Sequence, residues 1–246
     1  MIVRGQPRGV QIRNGSQMSS SPNYYKNVNT DLMEICPKAN SVIEFGCGEG
    51  QFLDVYKSNN LAATCVGFEL SEAAAGVAET RLDKVLKGNA EQLSLSTFGY
   101  EKQSFDLFIY GDVIEHFVDP WATLKAHMDY LKPGGHICAC IPNISNWTII
   151  FSLLHGEFEY QNSGLLDRTH LRFFTKKSIT EMVQDLDLEV EILASRNFQI
   201  IDTDKALVEL AKFFDEPVEA ISPERIEDWS TFQYLLKARK PMAATN

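Results

Sequence analysis

The chain has 246 residues, of which 44% are hydrophobic and 23% charged, and its net charge is −10. That length suits one α/β domain with a full core, and the acidic balance excludes a large nucleic-acid footprint, which draws on clustered Lys and Arg. No apolar run reaches the roughly 18 residues of a membrane span and no apolar signal-peptide core opens the chain, so a cytoplasmic protein without a membrane partner is expected. The five cysteines are scattered, odd in number and lack C-x-x-C pairs, against both a disulfide framework and a zinc ribbon.

Residues 1–22 are rich in Gly, Ser, Asn, Gln and Arg without periodicity and are predicted to be a flexible tail, with Met18 as an alternative start; residues 23–246 form the single domain. An amphipathic helix is expected from Tyr24 through Asp31-Leu32-Met33-Glu34-Ile35 to Pro37, and the first strand from Ser41. Val42-Ile43-Glu44-Phe45 then runs into Gly46-Cys47-Gly48-Glu49-Gly50. Glycine, without a Cβ, permits a sharp turn after a strand and lets a ligand lie against the backbone. About 20 residues on, after the apolar run 62–68, stands Glu69, where a nucleotide-binding βαβ unit places the carboxylate that holds ribose hydroxyls. The spacing is G-x-G-x-G, not the dinucleotide G-x-G-x-x-G, and no Lys-Ser/Thr follows as a P-loop needs. Cys47 in this loop is read as a small apolar filler.

Helical spacing is predicted over 52–56 and 72–82, with a short strand over 85–88 before Asn89-Ala90-Glu91. The near-continuous apolar run 105–110 suits a central parallel strand buried on both faces. Pro120 opens a helix ending near Tyr130, Lys132-Pro133-Gly134-Gly135 is a turn, and Ile137-Cys138-Ala139-Cys140-Ile141 places both cysteines on one strand face as packing. Strand–helix alternation implies an α/β, doubly wound, mostly parallel sheet with its ligand at the carboxyl ends of the strands. Residues 144–175 and 202–228 exceed that scaffold and are read as lid insertions; the second, with helical spacing over 206–214, would cover the cleft or make a dimer contact. The last strand is expected over 231–238.

The chain resembles the class I S-adenosylmethionine-dependent methyltransferases through an ordered set: the glycine turn, Gly67-Phe68-Glu69-Leu70-Ser71, Gly88-Asn89-Ala90-Glu91, Phe105 through Asp112-Val113-Ile114-Glu115-His116, and Leu131-Lys132-Pro133-Gly134-Gly135. Pro142-Asn143 followed by Gly164-Leu165-Leu166-Asp167-Arg168-Thr169-His170-Leu171-Arg172 resembles a narrower group, related to ubiquinone-biosynthesis O-methyltransferases and often found with glycosyltransferases. The resemblance implies a Rossmann-like sheet of seven strands, the last antiparallel, and S-adenosylmethionine bound by Glu44, Gly46, Cys47, Gly48, Gly50, Glu69, Leu70, Asn89, Ala90 and Asp112. Asn89 stands where the family usually has Asp, and its amide can still donate and accept at adenine. Related enzymes often lay an N-terminal segment over the cofactor, a role open to Tyr24 and Tyr25 alongside simple helix packing.

Methyl transfer from a sulfonium needs an aligned acceptor, and a hydroxyl acceptor also needs its proton removed by a base or acidified by a metal. Were a helical turn to start at Asp112, that residue, Glu115 and His116 would share one face at i, i+3 and i+4. With His170 they resemble the acid-x-x-Glu-His plus distant His that binds Mg²⁺ or Mn²⁺ in ubiquinone-pathway and small-RNA methyltransferases, which carry Glu where this chain has Asp112. Without a metal, His116 or His170 is the expected catalytic base. Arg168 and Arg172 would hold an anionic substrate or pair with surface acids. His127, His136 and His155 are read as structural or surface residues. The expected activity is O-methylation of a hydroxyl on a sugar, nucleotide-sugar or similar small polar metabolite, by a monomer or homodimer. Quinol, catechol or amine acceptors, or a cofactor-binding partner subunit without catalysis, are the alternatives.

Overall fold

The computed structural model describes residues 28–197, 203–213, 217 and 220–242. The predicted tail and the pair Tyr24 and Tyr25 lie outside the described residues. Helix α1 (Thr30–Ile35) begins at an Asn29 cap, later than the sequence pattern suggests, because the Asn29 side chain accepts from Leu32 N–H and stops the helix there. Strand β1 (Ser41–Phe45) leads through the glycine turn into α2 (Gln51–Asn59), and β2 (Thr64–Glu69) into α3 (Glu72–Ala78). β3 (Lys84–Lys87), β4 (Phe105–Gly111), α4 (Pro120–Met128) and β5 (Leu131–Pro142) follow. Then come α5 (Trp147–Leu154), α6 (Lys176–Asp185), β6 (Glu189–Arg196), α7 (Thr203–Phe213), α8 (Pro223–Ser230) and β7 (Gln233–Arg239).

The strands form one sheet in the order β3-β2-β1-β4-β5-β7-β6, and β7 alone runs against its neighbours. Side chains alternate across the sheet as the period of two demands. Ile43, Phe45, Val66, Phe68, Phe108, Tyr110, Ile137 and Ala139 enter one core layer; Val42, Cys65, Leu107, Ile109, Cys138 and Cys140 enter the other. Both faces are therefore buried, and the two cysteines do share one of them.

Two boundaries differ from the sequence reading. The predicted helix over 72–82 stops at Ala78, and Thr80, Arg81 and Leu82 bond back to carbonyls of Val77 and Ala78 as it unwinds toward β3. Lys132 through Gly135 is not a free turn but the start of β5: Gly134 N–H donates to the Lys240 carbonyl at 2.8 Å and Lys240 N–H to the Gly135 carbonyl at 2.8 Å. That partner lies more than 100 residues downstream, beyond any local pattern.

The two insertions pack on each other. Trp147, Ile150 and Phe151 of α5 meet Leu210 and Ala211 of α7 and Trp229 of α8. Asn143 ties them by polar bonds, its Nδ2 donating to the carbonyls of Asp228 (2.7 Å) and Thr231 (2.9 Å).

Candidate active site

At the carboxyl end of β1 the chain turns through Gly46, Gly48 and Gly50, with φ of 71°, 55° and 80°. These left-handed conformations favour glycine, and a Cβ on Gly46 would lie 2.9 Å from Val113 Cγ2. The turn is tied to β2 by Gly46 N–H donating to the Phe68 carbonyl (2.8 Å). Cys47 is buried in the core layer behind the loop, and burial pushes its thiol well up, as a filler and not a nucleophile requires. Glu69, at the end of β2, accepts from Gly48 N–H at 2.8 Å and Ser71 N–H at 2.7 Å. Each carboxylate oxygen has a second lone pair, so the loop fixes Glu69 and leaves it able to accept ribose hydroxyls. Leu70 stands exposed beside it.

Beneath the loop Glu44 is buried, and its Oε2 has no hydrogen-bond partner. Burial, then the nearby Cys36 and Glu69, raises its pKa well above the carboxylate range. An orphaned buried oxygen under a glycine cradle fits the cationic end of S-adenosylmethionine, and the start of α2 beyond Gly50 offers N–H groups to its carboxylate. Asn89 closes an Asx turn through Oδ1 and Glu91 N–H (2.9 Å), and the Ala90 carbonyl takes a bond from His127 Nε2 at 3.1 Å.

Past β4 the chain makes a short 3-10 turn, Ile114–His116. Glu115 is 1% exposed, yet both carboxylate oxygens lack hydrogen-bond partners. Burial, then Asp112 and Asp167, pushes its pKa well up. The segment after Asp167 is tied to this turn: Leu171 and Arg172 donate backbone N–H to the Glu115 carbonyl at 2.8 and 3.0 Å. This brings His170 Nε2 to 3.8 Å from Glu115 Oε1, and the His116 and His170 rings to 4.9 Å. One ligand atom each of Glu115, His116 and His170 lies within 4.8 Å of the others. His116 Nδ1 is 3.1 Å from the Thr169 carbonyl and His170 Nδ1 is 3.2 Å from the Leu165 carbonyl. A carbonyl only accepts, so both Nδ1 atoms carry hydrogen and both Nε2 lone pairs stay available, the arrangement that orients imidazole toward a metal. Burial, then His116, lowers the pKa of His170 and so favours its neutral form.

Asp112 is not brought into that group. It has φ 55°, so the 3-10 turn starts after it and the expected i, i+3, i+4 face does not form. Its Oδ1 instead accepts from Gln233 Nε2. Arg168 and Arg172 spend donors on backbone carbonyls, Arg168 Nε on Gln161 (3.5 Å) and Arg172 on Leu171 (2.9 Å) and Val118; among the described residues neither forms an ion pair. His127 is buried, His136 Nε2 lies 3.4 Å from Glu191, and His155 Nδ1 bonds the Phe151 carbonyl at 2.8 Å. Gln233 and Arg196, absent from any motif, carry no sequence signal because their partners lie far away in the chain: Arg196 bonds Gln233 and Asp31, and Gln233 bonds Asp112.

A glycine cradle after β1, a carboxylate after β2 and an acid-rich turn after β4 define a class of cofactor-dependent transferase. A family model described as a methyltransferase domain matches residues 21–193, and the chain belongs to that family, the class I S-adenosylmethionine-dependent methyltransferases. A ubiquinone biosynthesis O-methyltransferase from Dinoroseobacter shibae is 27% identical over 151 residues, 60% of this chain and 59% of that protein. The chain thus spans less than two thirds of this curated relative. S-adenosylmethionine-dependent methyltransferases from Thermotoga maritima (19% identity, 88% and 91% of the two chains, TM-score 0.57) and Archaeoglobus fulgidus (18%, 86% and 89%, 0.55) share the fold. No helix among the described residues is long and apolar enough to cross a membrane.

Proposed function

We propose that this chain is an S-adenosylmethionine-dependent O-methyltransferase that methylates a hydroxyl of a small metabolite at the Glu115–His116–His170 cluster. The observation that carries the reading is the buried, unpartnered Glu115 carboxylate facing two oriented imidazoles. Amines need only positioning, whereas a hydroxyl must lose its proton, and this cluster is built to take one. His170 accepts the proton at Nε2, the ring nitrogen that its Leu165 contact leaves free and that lies 3.8 Å from Glu115 Oε1. A divalent cation, Mg²⁺ or Mn²⁺, held by Glu115, His116 and His170 would lower the pKa of the bound hydroxyl. The cradle of Glu44, the glycines and Glu69 holds the donor, with Asn89 and Ala90 at the adenine end.

The D. shibae relative is named for ubiquinone biosynthesis, which favours a quinol or catechol hydroxyl as acceptor. The sugar or nucleotide-sugar expected from the lid motif is the second reading, supported by the exposed rings of Phe158 and Tyr160. The engagement of Arg168 and Arg172 with backbone carbonyls counts against an anionic acceptor.

Calorimetry with S-adenosylhomocysteine should show binding that Glu69→Ala or Gly48→Val weakens by at least tenfold, on the order of 1.4 kcal/mol or more. A chain that does not bind it is not this enzyme. Turnover with catechol and sugar panels then separates the acceptors, and Glu115→Gln should abolish turnover while sparing that binding. Chelation followed by Mg²⁺ or Mn²⁺ readdition tests the cation, and full activity in chelator rejects it.

A further inference from the structure

Helix α1 and the acid at the end of β4 are joined by an unbroken line of polar side chains. Asp31 Oδ2, on α1, accepts from Arg196 Nε at 2.7 Å. Arg196 Nη1 donates to Gln233 Oε1, also at 2.7 Å. Gln233 Nε2 donates to Asp112 Oδ1. The amide of Gln233 is oriented by Arg196, because a guanidinium has only donors and so takes Oε1, which turns Nε2 toward Asp112. Gln233 is itself 8% exposed, held in β7 opposite Pro142 of β5 and Arg196 of β6.

A second contact runs in parallel. Leu32 of α1 is fully buried, and its Cδ2 lies 3.7 Å from where a Cβ on Gly111 would stand. Helix α1 therefore packs on the residue before Asp112 and reaches Asp112 itself through Arg196 and Gln233. The φ of 55° at Asp112 lies in the left-handed region, which is costlier for an L-residue than for glycine and least so for Asp and Asn, so these contacts add to a local preference.

We propose that Gln233 and Arg196 are positioning residues that hold Asp112 in its left-handed conformation and couple the docking of α1 to the geometry of the turn carrying Glu115 and His116. The proposal rests on the reading of that turn as the acceptor site. Coupling is reciprocal: a ligand that draws on Asp112 tightens α1, and loss of the α1 anchor loosens the turn.

Hydrogen exchange on the full chain tests this without any ligand. Asp31→Ala removes the outer acceptor from a side chain half exposed at the surface while placing a strong helix former in α1. Amide exchange over 111–116 should rise by about threefold or more, with exchange in β1 to β3 unchanged. Gln233→Leu should give the same local rise, and the Asp31→Ala Gln233→Leu double variant should exceed Gln233→Leu alone by little, because the line is already cut. Unchanged exchange over 111–116 in Asp31→Ala, a uniform rise across the sheet, or additive effects in the double variant would overturn the proposal. If Gln233→Leu does not fold, Asp31→Ala with Arg196→Met decides by the same criteria. Failure of the unmutated chain to bind S-adenosylhomocysteine would count against the proposed function, whereas the exchange result bears on the relay alone.

Discussion

His127 shows how a buried side chain braces the segment that follows β3. Its Nε2 faces the Ala90 carbonyl at 3.1 Å and its Nδ1 the Tyr110 hydroxyl at 3.0 Å. The carbonyl can only accept, so Nε2 carries the hydrogen and Nδ1 accepts from Tyr110. The ring also stacks on Phe45, centroids 4.2 Å apart. Burial lowers the His127 pKa from 6.5 to about 4. Because the folded pKa is depressed, the unfolded chain takes up the proton first as pH falls. Stability contributed by the neutral ring is full above 6.5 and is lost as pH falls toward 4, about 3 kcal/mol for a shift of this size. His127→Gln keeps a donor for Ala90 and should lack that acid slope, which urea unfolding at pH 7 and pH 4.5 will show. At this scale Glu69 and the glycines were legible because turn, strand and acid lie within about 25 residues. Gln233 was not, since its partner Asp112 is 121 residues away.

At the scale of elements, the segment leading into α6 is fastened by ordinary helix chemistry. Thr175 caps α6 by accepting from Ser178 N–H, while Ser178 Oγ accepts from Thr175 N–H at 2.8 Å, a reciprocal capping box. Phe174, next to the cap, is buried and bridges to Asn143 beyond β5. Thr175→Ala should cost about 1 kcal/mol, read as a lower urea midpoint with unchanged slope. It should leave S-adenosylhomocysteine binding intact, because α6 supplies no donor-site residue. Strands were legible because apolar residues alternate across a sheet buried on both faces. Element ends were less so: α1 starts where a cap intercepts an N–H, and the first residues of β5 are held by Lys240, which accepts from Gly134 and donates to Gly135. The Glu115, His116 and His170 group was foreseeable as a set of residue types. The exclusion of Asp112 from it was not, because that depends on one positive φ.

For the whole molecule, the order β3-β2-β1-β4-β5-β7-β6 places β7 inside the sheet, bonded on both sides. Its removal opens two edges at once, and unpaired edges are templates for association. A chain ended after residue 232 should therefore elute as soluble aggregate in size-exclusion chromatography and bind no S-adenosylhomocysteine. A monomer that binds normally would show that β7 is dispensable.

The same placement orders events during synthesis. β5 and β6 cannot satisfy one another directly, because the strand that belongs between them is translated after both. However early the glycine cradle and β1 to β4 collapse around each other, the sheet cannot be completed until residue 239 has cleared the ribosome. Gln233, which donates to Asp112, arrives with that strand. The completed sheet and the polar contact to Asp112 therefore arrive together, and insertion of the last-made strand between two earlier ones is the step on which both wait.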